Sequence, residues 1–163
     1  MIKTAICALA IGLVAQPVSA AGGADDISLS ELQPGERVEI SYKSQGCFHN
    51  SEADLSFAPN RVEVSGMLGR PGVETIEALS PKELSQLDLY LARLKKGGFS
   101  GGCTTVDSYT VKIWKDGALV NSYTAIDGAC ATATEPGLVS PAMLVSRLEN
   151  DAMKRARAEA MGK

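Results

Sequence analysis

The stretch VDSYTVKIWKDGALVNSYTAID, residues 106–127, decides the fold. β-Branched and aromatic residues fill both halves, and Asp116-Gly117 between them suits a two-residue type I′ turn, whose central residues both need positive φ. The spacing predicts a hairpin in which Lys115 faces Ala118. Counting outward in step brings Cys103 opposite Cys130, with Tyr109, Val111, Ile113, Val120 and Ile126 on the same face. Opposed residues at such a hydrogen-bonded pair have Cα atoms about 5.5 Å apart, inside the range a disulfide accepts. The expectation is a Cys103–Cys130 staple at the base of the hairpin, worth about 3–4 kcal/mol in the chain-entropy account. A bulge would displace the count by one residue, and pairings of Cys47 with either cysteine are the rivals.

On the other face of the hairpin the same count sets Trp114 against Leu119, Thr110 against Tyr123 and Lys112 against Asn121. Aromatic side chains among polar ones have the composition of a recognition surface. Trp114, Tyr123, Leu119 and Lys112 are the expected binding residues, and a helix packed over them is the competing expectation.

Upstream, residues 36–66 alternate in period two: Val38, Ile40 and Tyr42, then Leu55 and Phe57, then Val62 and Val64. Pro59-Asn60 supplies a turn. This predicts a three-stranded meander. Between meander and hairpin, Ser80, Pro81 and Glu83 form a helix start with a capping box, and Leu79 with Leu84 fits a hydrophobic staple. Leu84, Leu87, Leu91 and Leu94 make one apolar stripe, and Lys95-Lys96-Gly97-Gly98 ends the helix. After the hairpin, Val139-Ser140-Pro141 opens a second amphipathic helix carrying Leu144, Val145, Leu148 and Ala152, with Asp151 and Arg155 spaced to pair. Beyond Ala152 the stripe dwindles, so that end should fray or protrude. Strands segregated from helices predict an α+β domain over 33–163, an antiparallel sheet of meander plus stapled hairpin covered by two helices.

The N-terminus has a different character. MIKTAICALAIGLVAQPVSA, residues 1–20, has one lysine, an apolar run and the small-residue ending Val18-Ser19-Ala20, the layout of a secretory signal peptide. The run is too short to span a bilayer, and Cys7 should leave with it. A flexible leader over 21–32 would follow. Export points to a periplasmic or secreted location, bacterial from the brevity of the signal, where disulfides form. The whole chain has a formal net charge of −3, and loss of Lys3 makes it more acidic. Nucleic-acid binding, which needs a basic stripe to displace counterions, has no support.

Catalytic signals are sparse. Cys47 and His49, in SQGCFHNSE, stand two apart in the only histidine-bearing stretch of the chain. On an extended segment their side chains share a face and would fit a thiolate–imidazole pair. A structural zinc would consume all three remaining cysteines and the histidine, so no metal and no cofactor is expected. The glycines of LKKGGFSGGC follow a helix, whereas a phosphate loop leads into one. Acidic pairs such as Glu74/Glu77 and Asp25/Asp26 suit a solvated surface. No nucleophile elbow, zinc-protease helix, dinucleotide fingerprint or calcium loop is present. The leading expectation is a small exported binding or inhibitor-type protein of the bacterial envelope, recognising a protein or envelope component and not acting as an enzyme. The alternatives are a thiol-dependent enzyme or redox protein using Cys47 with His49, and a dimer joined through Cys47.

Overall fold

Alternation along Glu36–Gly46 builds the central strand, β1: Val38, Ile40, Tyr42 and Ser44 are buried while Arg37, Ser41, Lys43 and Gln45 are exposed. The computed structural model describes residues 27–46, 50–67, 72–76, 79–97, 104–128 and 137–162. Cys47, His49, Cys103 and Cys130 lie outside them, as do residues 1–20, expected to be a signal peptide, and residues 21–26 of the expected leader. Strand β1 pairs with β2 (Asn50–Ala58) and β2 with β3 (Arg61–Ser65) across the Pro59-Asn60 turn, where Asn60 takes φ 59°. A fourth strand, β4 (Val73–Ile76), extends the meander, since four residues of VETI alternate too briefly to be recognised alone. The hairpin is β5 (Thr105–Lys115) and β6 (Ala118–Asp127), with Asp116 at φ 49° and Gly117 at φ 80° as the type I′ turn requires.

All pairings are antiparallel, and the order is β4-β3-β2-β1-β5-β6. The hairpin thus docks on the free edge of β1, where Val38 faces Ile113, Ile40 faces Val111 and Tyr42 faces Tyr109. The result is the expected α+β arrangement.

The hairpin register departs from the expected count. Lys115 faces Ala118 and Trp114 faces Leu119, but Ile113 faces Asn121, so a bulge leaves Val120 unmatched and displaces every later partner by one residue. Lys112 therefore faces Ser122, not Asn121, and Thr110 faces Thr124, not Tyr123. Because side chains alternate, one extra residue also exchanges the faces of β6. Tyr123 and Ala125 pack toward the core, whereas Val120 and Ile126 are 38% and 57% exposed. The count that set Cys103 against Cys130 assumed an unbroken register, and both cysteines lie outside the described residues.

Helix α1 (Pro81–Lys95) starts as its sequence predicts: Ser80 accepts from Glu83 N, and the Glu83 side chain accepts from Ser80 N. Its stripe buries Leu87, Tyr90, Leu91 and Leu94 on the sheet. Helix α2 (Pro141–Met161) buries Pro141, Leu144 and Val145, then runs on with residues 153–161 exposed, protruding as a regular helix. Its ion pairs differ from the expected one: Asp151 meets Lys154 at 3.3 Å, and Arg155 reaches Glu74 of β4 at 3.6 Å. Both helices contribute to one core with the inner faces of the strands. A fully buried Leu or Val of this kind contributes about 1.5–3 kcal/mol.

The leader expected over 21–32 is packed from Ile27 onward. Leu29 is 4% exposed in a 3-10 turn over Leu29–Glu31, and Asp88 of α1 accepts from Leu29 N at 2.7 Å and Ser28 Oγ at 2.6 Å. A carboxylate on a neighbouring helix that satisfies the turn's donors is not visible in the local composition.

Candidate binding surface

Two helices on one side of the sheet leave the other side to solvent among the described residues. The outer residues of β1, β2 and β5 include Arg37, Glu39, Ser41, Lys43, Glu52, Asp54, Ser108, Thr110, Lys112 and Trp114, polar apart from the indole. A shallow depression of about 550 Å³ runs along this face over Ser41, Lys43, Glu52, Asp54, Ser108 and Thr110.

Trp114 stands on the same outer face, four residues farther along β5 than Thr110, with a fixed orientation. Its Nε1 donates to Glu39 Oε2 at 2.8 Å, and the Arg37 guanidinium lies 5.4 Å from the centre of its ring, itself held by Glu39 at 3.1 Å. The β1–β5 register explains the grouping, because Arg37 faces Trp114 and Glu39 faces Lys112. A half-buried indole between a cation and a carboxylate loses little rotamer freedom on binding a partner. Leu119, half exposed, is its neighbour on β6, and Lys112 follows two residues along the same strand.

Of the four expected binding residues, the fold thus gathers Trp114, Leu119 and Lys112 on one open face. Tyr123 stands on the opposite one, beside an apolar cleft of about 570 Å³ under α1 that Ile27, Leu91, Val111 and Ile113 also line. Arg37 and Glu39 were missed from the sequence. Their alternation placed them on the polar face of β1, but only the pairing of β5 with β1 brings them to the indole.

No family model, curated protein or solved structure matches this chain. Function therefore has to be read from the surface and the interior alone.

The interior holds a tyrosine cluster. Tyr42 and Tyr109 stack at 5.6 Å between ring centres, and Tyr90 meets Tyr109 edge-on at 5.9 Å. Tyr90 Oη lies 2.9 Å from Asp127 Oδ2 and 3.1 Å from Tyr109 Oη. A phenol has one hydrogen and a carboxylate only accepts, so Tyr90 donates to Asp127. Tyr109 in turn places its hydroxyl between Tyr90 Oη and Asp107 Oδ2, the latter at 3.3 Å. Desolvation pushes Tyr42 up to about 12, with the charges of Asp107 and Glu149 adding to it and the neighbouring Ser44 hydroxyl opposing. Burial likewise raises Tyr90 and Tyr109 above the usual phenol range, the negative charges around them acting in the same direction. Phenols held so high stay protonated at neutral pH and act as hydrogen-bond donors, not bases. At the mouth of the turn region, Glu36 is lowered by the hydrogen bond from Gln33 N and by Lys115 Nζ at 3.1 Å. Among the described residues no cluster of three or more His, Cys, Asp or Glu could hold a metal ion, and no helix is long and apolar enough to cross a membrane.

Proposed function

We propose that this chain is a small exported, non-enzymatic binding or inhibitor-type protein of the bacterial envelope, recognising a protein or envelope component through the open face of β1, β5 and β6. The observation that carries the reading is the oriented indole of Trp114, fixed by Glu39 and Arg37 beside an exposed leucine on an open, polar sheet face. Central aromatic anchors ringed by polar groups are where binding energy concentrates in interfaces. Trp114 and Leu119 supply apolar contact, and Lys112 and Arg37 select for an acidic rim on the partner.

Export rests on the signal-like residues 1–20 and brings the remaining cysteines into an oxidising compartment. We keep Cys103–Cys130 as the proposed disulfide. Support for it is now chain connectivity instead of register: Asp107 faces Asp127, so the segments carrying both cysteines leave β5 and β6 at the same end of the hairpin. Gly46, next to Cys47, faces Thr105 at that end too, which keeps Cys47 with Cys103 as the rival bridge.

The test is a pull-down from an envelope fraction with tagged mature protein, repeated with Trp114→Ala and Lys112→Glu. Loss of a wild-type partner in both variants supports the surface. A partner retained unchanged by both removes it.

A further inference from the structure

The inner face of the sheet is apolar along its middle and changes abruptly at one end. Ser51 of β2 faces Ser44 of β1, Ser44 faces Asp107 of β5, and Asp107 faces Asp127 of β6, so one cross-strand row over four strands is wholly polar. The adjoining row, Ala53, Tyr42, Tyr109 and Ala125, has no charge. Like charges set directly opposite one another on a sheet destabilise it, and a polar row under a helix buries groups that water would otherwise solvate. Asp127, at 3% exposure, is offset by Tyr90. Ser44, at 1% exposure, has its Oγ buried without a partner within hydrogen-bond geometry among the described residues.

A pocket of about 240 Å³ opens over this row, between it and the first turns of α2. Ser44, Ser51, Asp107 and Tyr42 form its floor, and Glu149 closes one side, accepting from Ser51 Oγ at 3.3 Å. Ala142, Met143 and Val145 form the apolar wall. Two carboxylates line the pocket and no basic side chain does among the described residues.

From this geometry we infer that the pocket receives a cationic group on an aliphatic stem, an ammonium or guanidinium such as a lysine or arginine side chain of a protein partner. The stem lies along Ala142, Met143 and Val145. The cation meets the Glu149 and Asp107 carboxylates, and its N–H groups donate to the Ser44 hydroxyl, giving that buried oxygen a partner. The volume suits one side chain, below the size of ordinary small-molecule sites. The binding-protein reading above supplies only the source of the cation; the chemistry of the pocket stands without it.

The experiment follows amide chemical shifts of the mature, oxidised protein during titration with N-acetyl-lysine methylamide and N-acetyl-arginine methylamide, with N-acetyl-norleucine methylamide as the uncharged counterpart. Saturable shifts are expected at Ser44, Ser51, Asp107 and Glu149 with at least one cationic probe and none with norleucine. Glu149→Gln should weaken that binding about tenfold or more, since it removes a charge-assisted contact. Ser44→Ala should weaken it too while leaving the urea midpoint unchanged, which separates a binding role from a structural one. Glu159→Gln, the same charge change on the exposed end of α2, should leave it intact. Absence of shifts at those residues with either cationic probe, equal binding of norleucine, or equal weakening by Glu159→Gln overturns the inference. A partner still captured through Trp114 while the probes fail also overturns the pocket and leaves the open-face reading standing.

Discussion

Replacing Tyr90 by Phe removes one hydroxyl from a side chain that is fully buried, and leaves the ring to pack against Tyr109 as before. The hydroxyl donates to Asp127 at 2.9 Å, and a hydrogen bond to a charged group contributes about 1.5–3 kcal/mol. With a urea dependence of about 1.5 kcal/mol/M, the unfolding midpoint should fall by about 1–2 M. Asp127→Ala, which leaves no acceptor for the phenol, alone and combined with Tyr90→Phe, completes a double-mutant cycle that isolates the pair from the cost of desolvating either group. We expect a coupling energy of about 1.5 kcal/mol or more. A coupling below about 0.5 kcal/mol, the scatter of independent sites, would refute the donor assignment and with it the claim that the carboxylate at the end of β6 is anchored by α1.

Three other outcomes are expected. Tyr42, Tyr90 and Tyr109 are all raised in the folded chain above the ordinary value of 10.0, so their contribution to stability is complete below that pH and is lost as pH climbs through the folded values, about 12 for Tyr42; absorbance titration should show these phenols ionising only as the chain unfolds, and early ionisation of three tyrosines would contradict the buried cluster. Ser80→Ala removes the acceptor for Glu83 N and the hydroxyl that donates to Glu83 Oε2, leaving the Ser80 N contact in place, and should cost about 0.5–2 kcal/mol in thermal unfolding. If the chain is exported as proposed, peptide mapping without reduction should find Cys103 joined to Cys130, with Cys47 crosslinked to either of them as the contrary result.

Elements bounded by local chemistry were legible from the sequence, and those bounded by partners were not. Ser80, Pro81 and Glu83 announce α1 because a cap is a matter of three residues, and Asp116-Gly117 announces its turn because two positive φ values admit few side chains. The bulge opposite Ile113 left no such mark: Leu119, Val120 and Asn121 continue a plausible strand, and only the pairing shows that one of them is extra. That single residue moved Tyr123 from the expected binding row to the core face, while Trp114 and Leu119, on the turn side of the bulge, kept their expected opposition. Asp88, which satisfies the donors of Ser28 and Leu29, lies some sixty residues away, and so the packing of Ile27, Leu29 and Leu32 could not be read from so short an apolar alternation alone. Arg37 and Glu39 became part of the candidate surface through strand order alone, since the hairpin could equally have paired with the far side of the meander.

The open face is tested most directly by site-specific photocrosslinking in the intact envelope. A benzophenone side chain placed at Lys112 or Leu119 samples the outer face of the sheet, and one placed at Lys82 or Glu159 samples the exposed sides of the helices. The account predicts one crosslinked species from both sheet positions and none from the helix positions. Crosslinks confined to Lys82 and Glu159 would mean that the partner sits on the helical layer, and that the oriented indole of Trp114 serves the fold alone.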